Sequence, residues 1–285
     1  MSDATAVLLV SCPDRRGIVA ALAQTLYGHG VNILDADQHS DPVAGQFFQR
    51  IRCDLSELHT DRVALTRALD EVAERFHMQW RIAYADHAKR MALFVSRYDH
   101  CLYDLLLRHR AGEIRCEISF IASNHPDLKS VAEQFGIPYY AFPIAPGSKP
   151  AAEAQEIELL EANAVDVIVL ARYMQILSDA FSERYPNRII NIHHSFLPAF
   201  AGSKPYHQAY ARGVKLIGAT AHYATAVLDE GPIIAQDVIP TSHRDTISDL
   251  IRKGRDVEKR VLAHAVRCHL EDRVLVYDNK TVVFD

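Results

Sequence analysis

The sequence predicts an α/β protein of two domains. A small ferredoxin-like βαββαβ unit is expected over residues 1–85, and a doubly wound, mostly parallel, Rossmann-like sheet over residues 86–285. Three observations lead there. The chain has 285 residues, about twice the ~100–200 of a typical domain. Its first 85 residues alternate strand-like and helix-like periodicity in the order βαββαβ. Beyond a polar hinge at Ala85–Arg90, near-continuous apolar runs alternate with helical segments, the pattern of strands buried on both faces.

In the first unit, Val7–Ser11 reads as a strand broken by Pro13 and Asp14. Gly17–Tyr27 carries Ile18, Leu22 and Leu26 at helical spacing, and Gly28 and Gly30 end that helix. Val31–His39 and Gln46–Asp54 form two strands about a turn at Asp41, Pro42 and Gly45. Thr60–Phe76 is a second helix with Val63, Leu65, Leu69, Val72 and Phe76 expected on its apolar side, and Trp80–Tyr84 closes the unit. In the second unit, strands are expected at Met91–Val95, Ile118–Ala122, Tyr139–Phe142, Val167–Leu170, Ile189–Ile192 and Leu216–His222. Helices are expected at Leu102–Arg108, Leu128–Phe135, Ala151–Ala162 and Tyr206–Gly213.

Composition excludes several classes. Charged residues make up 24% and hydrophobic ones 49%, ordinary for a folded protein. The net charge is 31 − 36 = −5, so nucleic acid is not an expected partner. No apolar run approaches the ~20 residues of a membrane span, and the N-terminus lacks the basic region of a secretory signal, so a cytoplasmic protein with no membrane partner is expected. Five widely spaced cysteines, none in a Cys-x-x-Cys pair, read as reduced thiols. No Gly-x-Gly-x-x-Gly or Gly-x-x-x-x-Gly-Lys-Ser/Thr motif signals a dinucleotide or nucleoside triphosphate.

In an open parallel sheet, chemistry is expected just past the carboxyl ends of the strands. There Asn191 and His193 share one face, with Ile192 turned to the other. An amide beside an imidazole can polarise a carbonyl and stabilise the oxyanion formed on attack. His193 and His194 could instead satisfy backbone groups at a strand end. No metal is expected, because adjacent histidines point apart and no third ligand is close in sequence. Asp229, before Glu230-Gly231-Pro232, is either a carboxylate held over the same edge or an exposed turn acid, and spacing leaves both open.

Together these segments resemble the folate-dependent formyltransferase family. The resemblance rests on Asn191-Ile192-His193-His194-Ser195-Phe196-Leu197-Pro198, on Gly202, on Tyr206–Gly213, on Gly218-Ala219-Thr220-Ala221-His222-Tyr223, and on Leu228-Asp229-Glu230-Gly231-Pro232-Ile233-Ile234. The first unit, through Cys12-Pro13-Asp14-Arg15-Arg16-Gly17-Ile18-Val19 and Gly30-Val31-Asn32-Ile33, resembles an ACT regulatory domain. The resemblance implies a catalytic triad of Asn191, His193 and Asp229. It implies a folate pocket lined by Arg172, Met174, Gln175, Ile176 and Leu177 with the backbone of the 224–229 loop, among them Ala224, Thr225, Val227 and Leu228. Without it, Met174, Ile176 and Leu177 read as core.

Family members that use glycinamide ribonucleotide carry a Gly-Ser-Asn loop after the first strand of this domain, where backbone N–H groups cradle a phosphate. Here that place reads Ser96-Arg97-Tyr98-Asp99-His100-Cys101-Leu102, without glycine, as in the family's deformylases. An acceptor site filled by side chains leaves water as the nucleophile. The expected activity is hydrolysis of 10-formyltetrahydrofolate, supplying formate for purine synthesis, with no cofactor. Alternatives are transfer to an amine lacking a ribose phosphate, or a folate or amino-acid sensor without turnover. The ACT resemblance also implies an amino-acid effector near Gly28, Gly30, Val31 and Asn32, and a homo-oligomer, dimer or tetramer.

Overall fold

A computed structural model describes residues 4–199 and 205–285. The chain divides into two compact units, residues 1–88 with 271–277 and 282–285, and residues 89–270 with 278–281. The last residues differ from expectation, since Glu271–Tyr277 and Val282–Asp285 group with the first unit.

The first unit runs β1 (Thr5–Pro13), α1 (Ile18–Gly28), β2 (Asn32–Asp41), β3 (Gln46–Asp54), α2 (Arg62–Phe76) and β4 (Gln79–Tyr84). Its sheet has the order β2-β3-β1-β4, each pair antiparallel. On one face Leu8, Val10 and Cys12 of β1 pack with Ile18, Leu22 and Leu26 of α1 and Leu65 and Leu69 of α2. On the other, Leu9 and Phe48 pack with Phe284, Leu275 and Tyr277 from the C-terminal segments. Burial on both faces explains why β1 shows an apolar run and no alternation. In α2, Asp61 caps the first turn by accepting from the Ala64 N–H. Val63 is exposed, contrary to expectation, because it lies two residues from Leu65, about 200° round the helix.

The second unit contains β5 (Arg90–Val95), α3 (His100–Arg110), β6 (Glu117–Ser123), α4 (Lys129–Phe135), β7 (Tyr139–Ala141), α5 (Lys149–Ala162), β8 (Val167–Leu170), α6 (Asp179–Arg184), β9 (Ile189–His193), α7 (Pro205–Arg212), β10 (Leu216–Tyr223), β11 (Ile233–Pro240) and α8 (Ile247–Leu270). The strands β12 (Val274–Tyr277) and β13 (Lys280–Val283) follow. The seven-stranded sheet has the order β11-β10-β9-β8-β5-β6-β7. Its β7-β6-β5-β8-β9 part is parallel, and β10 and β11 add antiparallel strands at one edge. Chain order reverses between β5 and β8, so the crevice past their carboxyl ends is the topological switch point where such sheets bind ligands.

The sequence reading names no counterpart of α8. Its Arg-Lys-Gly-Arg-Asp-Val-Glu-Lys-Arg stretch looks solvated, yet Leu250, Val257, Val261, Leu262, Ala265 and Val266 form a buried stripe. Among the described residues, no helix is long and apolar enough to cross a membrane.

Candidate active site

The antiparallel pairing of β9 with β10 sets His222 opposite Asn191 and Thr220 opposite His193. Because side chains alternate, these four polar groups share one face of the sheet edge. His222 Nδ1 lies 2.9 Å from the Tyr223 carbonyl, which only an N–H can satisfy. In the neutral ring Nε2 is then an acceptor, and it takes a hydrogen bond from the Asn191 amide at 3.2 Å. Burial holds the His222 pKa below its ordinary value, so the ring is neutral and orients the Asn191 amide group.

Asp229 arrives from the loop between β10 and β11. Tyr223 N–H donates to the Pro232 carbonyl at 2.9 Å, and Ala224 N–H to the Ile189 carbonyl at 2.8 Å. Gly231 lies so close to Tyr223 that a Cβ would stand 1.8 Å from its carbonyl oxygen. Asn279 donates to the Glu230 carbonyl and Thr281 to that of Ile233. Asp229 itself has φ +58°, a left-handed conformation that Asp adopts more readily than most residues. Its Oδ1 lies 3.1 Å from His193 Nδ1 and 3.8 Å from His222 Nε2, and its side chain is only 12% exposed. It is therefore no exposed turn acid. Burial disfavours its charge, but the hydrogen bond from His193 and the nearby histidines outweigh it, and its pKa lies below the ordinary carboxylate value.

With Nδ1 engaged by Asp229, His193 turns Nε2 inward, buried and without a hydrogen-bond partner. A buried ring nitrogen left open beside a carboxylate and an amide is suited to a reacting atom. The following loop is fixed by Thr220, fully buried, whose hydroxyl donates to the Ser195 carbonyl and accepts from the Leu197 N–H and Gln236. His194 stacks on His193 with ring centroids 5.1 Å apart, so the two adjacent rings do not point apart as expected, because His194 lies just past the end of β9, where strand alternation no longer applies. Burial and then the Arg172 charge lower its pKa to about 3, so it is a neutral ring.

The structure brings Asn191, His193 and Asp229, the triad that the family resemblance implies, together around His222. Of the 172–177 segment, Met174 and Ile176 are exposed, as are Val227 and Leu228, whereas Leu177 packs partly against the core. Met174 and Ile176 are therefore not core residues. Met174 N–H donates to Ser96 Oγ, which anchors this segment to the end of β5. Gln175 and Ala224 are half-buried, and the Thr225 hydroxyl donates to the Val227 carbonyl. Arg172 is buried, with Nε 3.5 Å from Glu258 Oε2. Gly202 lies outside the described residues. Sequence reasoning gave no role to His222, Thr220 or Glu258. The first two could have been found as polar residues alternating on one face of the apolar strand β10.

In the first unit, Gly28 is the last residue of α1, Val31 is buried and Asn32 begins β2. Gly30 has φ +77°, and a Cβ there would stand 2.5 Å from the Glu57 carbonyl oxygen. Its close approach is to its own chain.

The formyl transferase family model matches residues 89–266, and the ACT domain model residues 6–69. A formyltetrahydrofolate deformylase from Synechocystis sp. is 56% identical over 284 residues, covering 100% of both chains. One from Bacillus subtilis is 49% identical, over 98% of this chain and 93% of its own. Among solved structures, a formyltetrahydrofolate deformylase from Pseudomonas syringae superposes with a TM-score of 0.96 at 52% identity, covering 99% of this chain and 94% of that one. A glycinamide ribonucleotide transformylase from Symbiobacterium toebii reaches 0.67 at 33% identity, covering 70% of this chain and 95% of its own. The chain belongs to the formyl transferase family and, along its whole length, to the formyltetrahydrofolate deformylases.

Proposed function

We infer that the chain hydrolyses 10-formyltetrahydrofolate to formate and tetrahydrofolate. The observation that carries this reading is the convergence of Asn191, His193 and Asp229, with Asp229 Oδ1 3.1 Å from His193 Nδ1 and His193 Nε2 left open. Asp229, held ionised, takes a proton from water, whose oxygen bonds to the formyl carbon. The Asn191 amide, oriented by His222, holds the formyl oxygen. His193, donating to Asp229 through Nδ1–H, acts with a second proton on Nε2: it stabilises the tetrahedral oxyanion, passes that proton to the leaving nitrogen as the carbon–nitrogen bond breaks, and is restored by the proton that Asp229 took from water. The carboxylate activates the water, so these steps call for no metal or redox cofactor.

Exposed Met174, Ile176, Val227 and Leu228 offer apolar surface for the flat folate ring, with Gln175, Leu177 and the 224–229 backbone beside it. Five free cysteines suit a reducing compartment such as the cytoplasm. For the first unit, an amino-acid effector near Gly28–Asn32 fits an ACT domain. The edge strand β2, exposed along nearly its whole length, suits pairing with a second copy. Light scattering, and activity measured with and without amino acids, test both. The hydrolytic reading is tested by formate release from 10-formyltetrahydrofolate with no added acceptor. Release no faster than the uncatalysed rate would refute it.

A further inference from the structure

The crevice past the carboxyl ends of β5 and β8 is the default ligand position of this sheet, and here ionisable side chains from the segments after both strands meet. Arg172 stands two residues past β8, and the intervening Ala171 N–H donates to the Phe94 carbonyl of β5. His100 opens α3 beyond β5. Both reach Glu258 of α8, which is 1% exposed: His100 Nε2 stands 2.7 Å from Oε2, and Arg172 Nε 3.5 Å from the same oxygen. The Tyr206 hydroxyl donates to Oε1 at 2.5 Å. The Arg172 guanidinium also lies 4.9 Å from the centroid of the Tyr98 ring.

The chain is shaped to seat this cluster. Gly254 stands inside α8, where glycine costs about 1 kcal/mol relative to alanine. A Cβ there would lie 2.0 Å from the Tyr206 hydroxyl oxygen, so the glycine makes room for the phenol to reach Glu258. Arg172 itself adopts φ +66°, an uncommon conformation for a long side chain. His100, Cys101 and Glu258 stand close enough together to hold a cation, but Arg172 already faces the same carboxylate oxygen. The cluster abuts the reacting groups, for His194 lies between them, stacked on His193 at 5.1 Å and tilted against Tyr206 at 6.0 Å between ring centroids.

We propose that Arg172, His100 and Glu258 are specificity-determining residues that plug the switch-point crevice, keep amines from the formyl carbon and leave water as the only nucleophile. This rests on the hydrolytic reading above. The same domain fold serves a glycinamide ribonucleotide transformylase, so side chains and not the fold must choose the acceptor. If the plug is opened, an amine nitrogen bonds to the formyl carbon, the bond from that carbon to the folate nitrogen breaks, and the amine proton passes to that nitrogen. The products are a formamide and tetrahydrofolate, with no redox change.

The test uses the full chain with 10-formyltetrahydrofolate and glycinamide or hydroxylamine as acceptors, with formate and formylated amine quantified together. Arg172→Gly opens the crevice at a backbone conformation that glycine accepts freely. Wild type should yield formate alone, and the variant formylated amine at least about tenfold above the wild-type background, the discrimination that modest changes in pocket space confer. Arg172→Met, which keeps most of the volume without the charge, should stay at background. Should Arg172→Gly not fold, His100→Ala opens the same space from the β5 side and should show the same gain. Folded variants that bind folate and transfer no more than wild type overturn the plug. Absence of formate release by the wild type would refute hydrolysis itself and would be seen before any acceptor is added.

Discussion

Replacing Asp229 by Asn separates a catalytic carboxylate from a structural one. At φ +58° Asn is as comfortable as Asp, and its Oδ1 can still accept from His193 Nδ1 at the present 3.1 Å. A hydrogen bond to a charged group exceeds a neutral one by about 1 kcal/mol, and removing a mostly buried charge offsets part of that loss. The melt should therefore fall by no more than about 4 °C. The rate is different. A positioned acid or base contributes ~10²–10⁴-fold, about 2.7–5.4 kcal/mol of barrier. Formate release by Asp229→Asn should drop by that factor while folate binding persists. Asp229 has a depressed pKa, so it stays charged until pH falls below the ordinary carboxylate range, and the wild-type acid limb lies correspondingly low. The variant should lose that limb. His193 and Asp229 act as a unit, so the double substitution should cost far less than the two single effects combined. Stopped assays of kcat for both single variants and the double, with thermal melts, decide. A near-normal kcat for Asp229→Asn refutes the mechanism.

Two further substitutions test the supports. Gly231→Ala puts a methyl 1.8 Å from the Tyr223 carbonyl oxygen, so the Asp229 loop must shift. A stability loss of at least about 1–3 kcal/mol and a fall in kcat are expected, and unchanged values of both would refute the close approach. Glu156 is fully buried, accepts from the Tyr173 hydroxyl at 2.9 Å, and burial raises its pKa to about 7. The folded state therefore holds a proton that the unfolded chain releases near pH 4.5, and stability falls as pH rises from there to about 7. Glu156→Gln removes this penalty, whose upper limit is about 3 kcal/mol, and should raise the melting temperature at pH 8 but not at pH 4. An equal shift at both pH values would refute the assignment.

The residue pattern alone carried the two-unit organisation, the order of the first unit, most strands of the second and the pairing of Asn191 with His193 on one face, while the family resemblance added Asp229. Those features are written in local periodicity and in short motifs, such as Asn191-Ile192-His193, whose alternation already places two groups on one face. Tertiary structure decided the rest. Whether Asp229 is a turn acid or a partner of His193 depends on how its loop folds back over β9, and this is fixed by Gly231 and by hydrogen bonds to residues far along the chain. The role of His222 needed the β9–β10 register, since strand pairing is a long-range choice. Glu258 sits in a helix whose charges look solvated in sequence, and it gains a meaning only when Arg172, His100 and Tyr206 converge on it. A buried charge is defined by its partners, and those partners are brought together by the fold.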